Sequence, residues 1–197
     1  MTEAEWLAST DLNSMLEFLG DRISSRKLRL FACACCRRVW HLLTEPASRT
    51  AVEVAERYAD GLATREELVA ARNEAVMQAP GGGAAQVAAR DPRWAAAWTA
   101  VGASKIAAWA AAKNSERAEQ PVLLREVVGN PFQPVAISEP WPAEVIELAQ
   151  VIYDGRGDYL ELCDALGAAG HPELAEHFAK PGHPKGCWVI DLILGKE

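Results

Sequence analysis

The sequence predicts an all-α protein: a multi-helix bundle of about nine or ten helices, with an irregular proline-rich linker before the C-terminal ones. Three observations lead there. Alanine is the commonest residue, and β-branched runs alternating with period two are nearly absent. Capping residues also recur ahead of apolar positions spaced three and four apart. At 197 residues, half of them apolar, the chain is long enough to bury a core, as one domain or a domain with a subdomain. That apolar fraction excludes a disordered chain, and the unperiodic glycines and prolines exclude a collagen-like one.

Each element follows from a local signal. Thr2 and Glu5 have the spacing of a capping box and open a short helix carrying Leu7. Asp11 caps a segment with Leu12, Met15, Leu16 and Leu19, which Gly20 closes. Ser24 or Ser25 caps a long helix from residue 26 to about 43. Its stripe of Leu28, Phe31, Cys35, Val39 and Leu42 is widened by Leu30, Cys33 and Trp40, so it is expected to be central. Pro46 suits a first helical position, with Val52, Ala55 and Ala59 on one face and Gly61 as the stop. Thr64 and Glu67 form a second capping box ahead of Leu68, Ala71 and Ala75.

The run Pro80-Gly81-Gly82-Gly83 breaks the chain as an internal loop. Asp91-Pro92 then opens a long helix to about residue 118, with Trp94, Trp98 and Val101 on one stripe and Trp109 off it. Lys105 and the weak apolarity of alanine argue against a membrane span there. Gln120-Pro121 punctuates, and residues 122–128 have the pattern of two further helical turns. Two prolines at 131 and 134 then forbid a regular helix, predicting an ordered linker that packs Phe132, Val135 and Ile137 onto the domain. Further helices are expected from Pro142 to near Gly155, from Asp158 to Ala169, from Pro172 to Lys180, and from Cys187 to Leu194. The expected organisation is an N-terminal bundle over 1–118, an extended linker over 119–141 and a C-terminal subdomain over 142–197.

The net charge of −7 argues against a general nucleic-acid binder, and residues beyond 100 carry −6 of it. The acidic, polar start has no signal-peptide pattern, and five cysteines, three of them at 33, 35 and 36, suit a reducing compartment; the expectation is cytoplasmic. Against that acidity stands a basic stretch, residues 26–38, with Arg26, Lys27, Arg29, Arg37 and Arg38 and no acid. It is the candidate interaction site for an anionic partner, or else it pairs with carboxylates of its own chain.

Three further groups could carry chemistry. Cys33 and Cys36 share a helix face, and His177, His183 and Cys187 have spacings that could complete a tetrahedral zinc site. The candidate metal set is Cys33, Cys36, His183 and Cys187, although Cys-x-x-Cys inside an apolar helix lacks the turn that usually presents zinc ligands. A nucleophile reading takes Cys36 or Cys187 with His41 or His183 as base, and no third, orienting group is identifiable. Asp191, alone in an apolar run, either faces solvent or pairs with a buried cation. No phosphate loop, dinucleotide fingerprint or nucleophile elbow is present.

Three blocks carry a resemblance: Met1-Thr2-Glu3-Ala4-Glu5-Trp6-Leu7 with residues 26–40, residues 123–135 around Gly129-Asn130-Pro131-Phe132, and Gly186-Cys187-Trp188 running to Gly195-Lys196-Glu197. On these the chain resembles a large paralogous family of uncharacterised bacterial helical proteins. The resemblance implies a helical module that stands alone or accompanies other domains. The family has no assigned activity, so no catalytic or binding residue is transferred; the absence of a catalytic constellation, the aromatic-rich helices and the division between a basic helix and an acidic C-terminal part carry the expectation that follows. The first expectation is therefore a non-enzymatic helical interaction or scaffold module with a protein partner or self-association and no cofactor. The alternatives are a zinc-binding Cys/His protein, structural or catalytic, and a regulatory module contacting nucleic acid through the basic helix.

Overall fold

The computed structural model describes residues 1–78, 115–135, 137, 139–179 and 182–196. Among them are ten α-helices, two short 3-10 turns and no strand, so the fold is all-α. The expected loop at Gly81–Gly83 and most of the helix carrying Trp94, Trp98 and Trp109 lie outside the described residues. None of the described helices is long and apolar enough to cross a membrane. The chain divides into two compact units, Met1–Arg125 and Glu126–Glu197.

The first unit holds α1 (Glu3–Ala8), α2 (Leu12–Leu19), α3 (Ser25–Arg38), α4 (Pro46–Ala59), α5 (Arg65–Gln78) and most of α6 (Ser115–Val128). The expected caps form. Thr2 and Glu5 bond reciprocally, Asp11 and Ser24 accept from the first turns of α2 and α3, and Pro46 opens α4. Thr64 and Glu67 close the second capping box at 2.7 and 3.2 Å. Helix α3 packs on α4 and α4 on α5, around Ala32, Cys33, Cys36, Val52, Ala55, Leu68 and Ala75.

Helix α3 stops at Arg38, short of the expected residue 43, and a 3-10 turn over Trp40–Leu42 follows. Arg49 braces this turn. Its guanidinium donates to the carbonyls of Leu43 and Trp40 and lies over the Trp40 ring, satisfying groups that a continuing helix would have used itself. A second arginine works the same way at the end of α1, where Arg125 donates to the Trp6 carbonyl at 2.7 and 3.0 Å.

The helical turns expected over residues 122–128 form, and the helix also runs back through residues 119–121, expected as linker, with Pro121 inside α6. Burial of Pro121, Leu123, Leu124 and Val127 offsets the hydrogen bond that the proline removes. The division between units accordingly falls within this helix. The irregular stretch begins at Gly129, whose left-handed backbone (φ 79°) ends α6. Asn130 then caps a turn by accepting from Phe132 N–H at 3.0 Å. Phe132 and Val135, expected to pack inward, are exposed, and Ile137 is half-buried.

The second unit holds the last turn of α6, then α7 (Ala143–Tyr153), α8 (Tyr159–Ala168), α9 (Pro172–His177) and α10 (Trp188–Leu194). Helix α7 packs on α8 and α10, and α8 on α9, around Val145, Ala149, Leu162, Leu166, Leu174, Phe178, Val189 and Ile193. Gly157 lets the chain turn tightly, since a Cβ there would stand 2.5 Å from the Ile152 side chain.

Candidate metal centre

Four side chains of the second unit meet at one point. Glu126 projects from the last turn of α6, and His177 ends α9, a short helix started by Pro172 at its first turn. Cys187 is the N-cap residue of α10, and His183 lies four residues before it. The strand of chain between them folds tightly. Gly182 and Gly186 take left-handed backbone, and Cys187 N–H bonds to the Pro184 carbonyl at 3.0 Å. This turn brings His183 back toward Cys187.

The donor atoms all lie within 4.8 Å of one another. His177 Nε2 is 3.2 Å from Cys187 Sγ and 3.3 Å from Glu126 Oε2. His183 Nδ1 is 3.9 Å from the same sulfur and 3.0 Å from the same oxygen. Donors bound to a tetrahedral zinc at about 2.0–2.3 Å stand about 3.3–3.6 Å apart, so these four edges bracket that value.

The arrangement separates metal binding from nucleophilic catalysis. A Cys–His–carboxylate relay needs a ring that faces the thiol with one nitrogen and the carboxylate with the other. Here each imidazole presents one nitrogen to both Cys187 and Glu126. Cys187 is also only 1% exposed.

Charge within the cluster is mutually supporting. Burial opposes ionisation of the Cys187 thiol, but the imidazoles of His177 and His183 outweigh it and bring its pKa down to about 7. Burial likewise disfavours a charged His183, yet the Cys187 sulfur and the Glu126 carboxylate raise it to about 9. A cation at the centre would take over the role that the ring protons play here.

The surrounding shell is aromatic. Tyr159 stacks on Phe178, its ring lies 5.2 Å from that of His183, and its hydroxyl donates to the His183 carbonyl at 3.4 Å. The Trp188 ring meets the edge of His177 and rests on Gly129, where a Cβ would come within 3.1 Å of the indole. These contacts fix the ring orientations of the ligands.

Of the expected metal set, His183 and Cys187 come together, and Glu126 and His177 stand where Cys33 and Cys36 were expected. Those two cysteines belong to the first unit, in the core between α3 and α4. Cys33 Sγ donates to the Val52 carbonyl at 3.9 Å, and burial pushes the Cys36 pKa up to about 12. Their spacing places both on the buried side of α3. For the same reason Cys36 cannot serve as a nucleophile with His41, which is exposed on the following turn. Asp191 is buried on α10 and takes no part in the cluster.

Four of the five basic residues of α3 have a carboxylate or ring partner in the first unit. Arg26 pairs with Asp60 at 3.3 Å, and Arg37 makes a two-pronged contact with Glu56 at 2.7 and 2.9 Å. Arg38 lies 3.8 Å from Glu119, and the buried Arg29 sits over the Tyr58 ring. Lys27 follows the Ser24 cap.

Sequence reasoning overlooked Glu126, the one member of the cluster remote from the others in the chain. The signal nearest at hand was the crowding of histidine: three of the four, His171, His177 and His183, fall just ahead of Cys187. No family model, curated protein or solved structure matches the chain.

Proposed function

We propose that this chain is a zinc-binding helical protein, with one ion per chain held by Glu126, His177, His183 and Cys187. The observation that carries the reading is the convergence of four donor atoms of suitable kind within 4.8 Å. Thiolate and imidazole donors favour zinc among the common divalent ions, and a single carboxylate oxygen is compatible with it. The ion would tie the end of α6 to α9, the 182–187 turn and the start of α10. Unbridged cysteines fit a reducing compartment, in keeping with a cytoplasmic protein.

Metal content by elemental analysis, on protein purified without a metal-affinity tag, tests this directly. One zinc per chain is the expected result. Protein that is metal-free as isolated and takes up no zinc on titration overturns it.

A second reading, an interaction or scaffold module, draws on a different observation. Leu62, Val69, Val76 and Met77 are exposed apolar side chains, and Val69 and Val76 are seven residues apart on α5. Its test is mass in solution, where a concentration-dependent dimer that Val69→Lys dissociates supports self-association. The pairing of Arg26, Arg37 and Arg38 with carboxylates leaves nucleic-acid contact through α3 with the least support.

A further inference from the structure

The four ligands of the cluster are not equivalent. Resting on the zinc reading, we infer that Glu126 is an exchangeable ligand, and that the ion accepts a small anionic oxygen donor in its place. His177, His183 and Cys187 are then the permanent ligands.

Two observations carry this. The first is exposure: the side chains of His183 and His177 are 3% and 14% exposed and Cys187 is 1%, whereas the Glu126 side chain is 28% exposed. Solvent therefore reaches the coordination sphere on the carboxylate side. The second is chain connection. His183 and Cys187 are held by the tight 182–187 turn, His177 ends α9, and the two rings pack against Tyr159, Phe178 and Trp188. Glu126 comes from a separate helix, on a flexible side chain that can swing away without disturbing that turn.

Three protein ligands and one replaceable position are the pattern of zinc sites that bind or activate a ligand, and four fixed ligands are the pattern of structural ones. Exchange is balanced simply. The zinc–oxygen bond to Glu126 breaks, a bond to the incoming donor oxygen forms, and no electron changes hands. Because the displaced group is a carboxylate, the fitting class of ligand carries a hard anionic oxygen, such as a carboxylate or a hydroxamate.

Cobalt-substituted protein provides the readout, since its visible absorption reports coordination without any assumed activity. Acetohydroxamate titrated into wild-type cobalt protein is expected to change the spectrum saturably. Glu126→Ala is expected to keep one cobalt per chain, with affinity weakened by less than about tenfold, and to bind acetohydroxamate more tightly than wild type. Cys187→Ser and His183→Ala are expected to weaken cobalt by more than about 100-fold. An unchanged wild-type spectrum up to saturating acetohydroxamate, with cobalt still bound, overturns exchange while leaving the zinc reading intact. So does a folded Glu126→Ala that loses cobalt as completely as Cys187→Ser. Wild-type protein that binds neither cobalt nor zinc instead removes the zinc reading, and this inference with it.

Discussion

Cys36 and Cys187 are both almost inaccessible, at 2% and 1% exposure, yet their chemistry is opposite. Around Cys36, burial dominates and the nearby Glu56 carboxylate adds to it, so the thiol is held protonated with a pKa of about 12. Around Cys187, burial is just as severe, but two imidazole nitrogens face the sulfur and its pKa falls to about 7. Burial therefore says little about a cysteine's role until the groups facing the sulfur are known. In the first unit the thiols are small apolar fillers; in the second, the thiol of Cys187 faces two imidazoles.

Removing the metal should separate the two regions most strongly. On the proposed zinc reading, chelation would leave Glu126, His177, His183 and Cys187 without the ion that joins them and free the 182–187 turn. Hydrogen exchange should then lose protection across Ala143–Tyr153 and Trp188–Leu194 while Ser25–Arg38 and Pro46–Ala59 keep theirs. Equal loss in both units, or in neither, would break the contrast drawn here.

Alkaline pH should act on the other region. Cys33 and Cys36 have folded pKa values raised above the ordinary value of 9.0, so their protonated forms are favoured by folding. The stabilisation is complete below about pH 9 and is lost as pH rises toward the folded values, because the unfolded chain binds fewer protons in that window. Cys36 should contribute a slope of one proton between about pH 9 and 12, and Cys33 a fall of the same sign above about pH 9. Denaturant melts at stepped pH measure the slope, and Cys33→Ala with Cys36→Ala should flatten it. An unchanged slope in that double variant would show that other groups set the alkaline limit.

Serine exchange sharpens the same comparison at smaller cost. Cys36→Ser puts a hydroxyl into apolar surroundings and should destabilise the protein by about 1–3 kcal/mol without changing its zinc content. Cys187→Ser should release zinc. Zinc loss in Cys36→Ser would mean that the first unit, contrary to its geometry, supports the site.

The two regions also differed in how far the sequence disclosed them. Caps at Thr2, Asp11, Ser24 and Thr64 were legible because each is closed by a partner two or three residues away. The helical fold follows from such local signals and from apolar spacing. Helix α6 was misread at Pro121 because a proline's local cost is visible in sequence, and the burial of Leu124 and Val127 that outweighs it is not. The turn after α3 is braced by Arg49, eleven residues beyond Arg38, a contact that no local rule points to. The metal cluster was half legible. His183 and Cys187 are neighbours in the chain, whereas Glu126 reaches them only through tertiary folding. Cys33 and Cys36 drew attention through their spacing, which fits a ligand pair and a buried helix face equally well.

The smallest expected effect tests whether the first unit behaves as an ordinary helical core, independent of the site. Thr64 accepts from Glu67 N–H at 3.2 Å, and the Glu67 carboxylate accepts from Thr64 N–H at 2.7 Å. Thr64→Ala removes the first of these bonds and leaves a donor in the opening turn of α5 without its partner, at a cost of about 1 kcal/mol. Both groups are exposed, so water recovers part of the loss and the cost stays near that figure. The melting midpoint should drop by a few degrees with zinc content unchanged. A drop as large as that from chelation would mean that α5 and the metal unit melt as one cooperative block, and the distinction between the two regions would then be chemical only, not energetic.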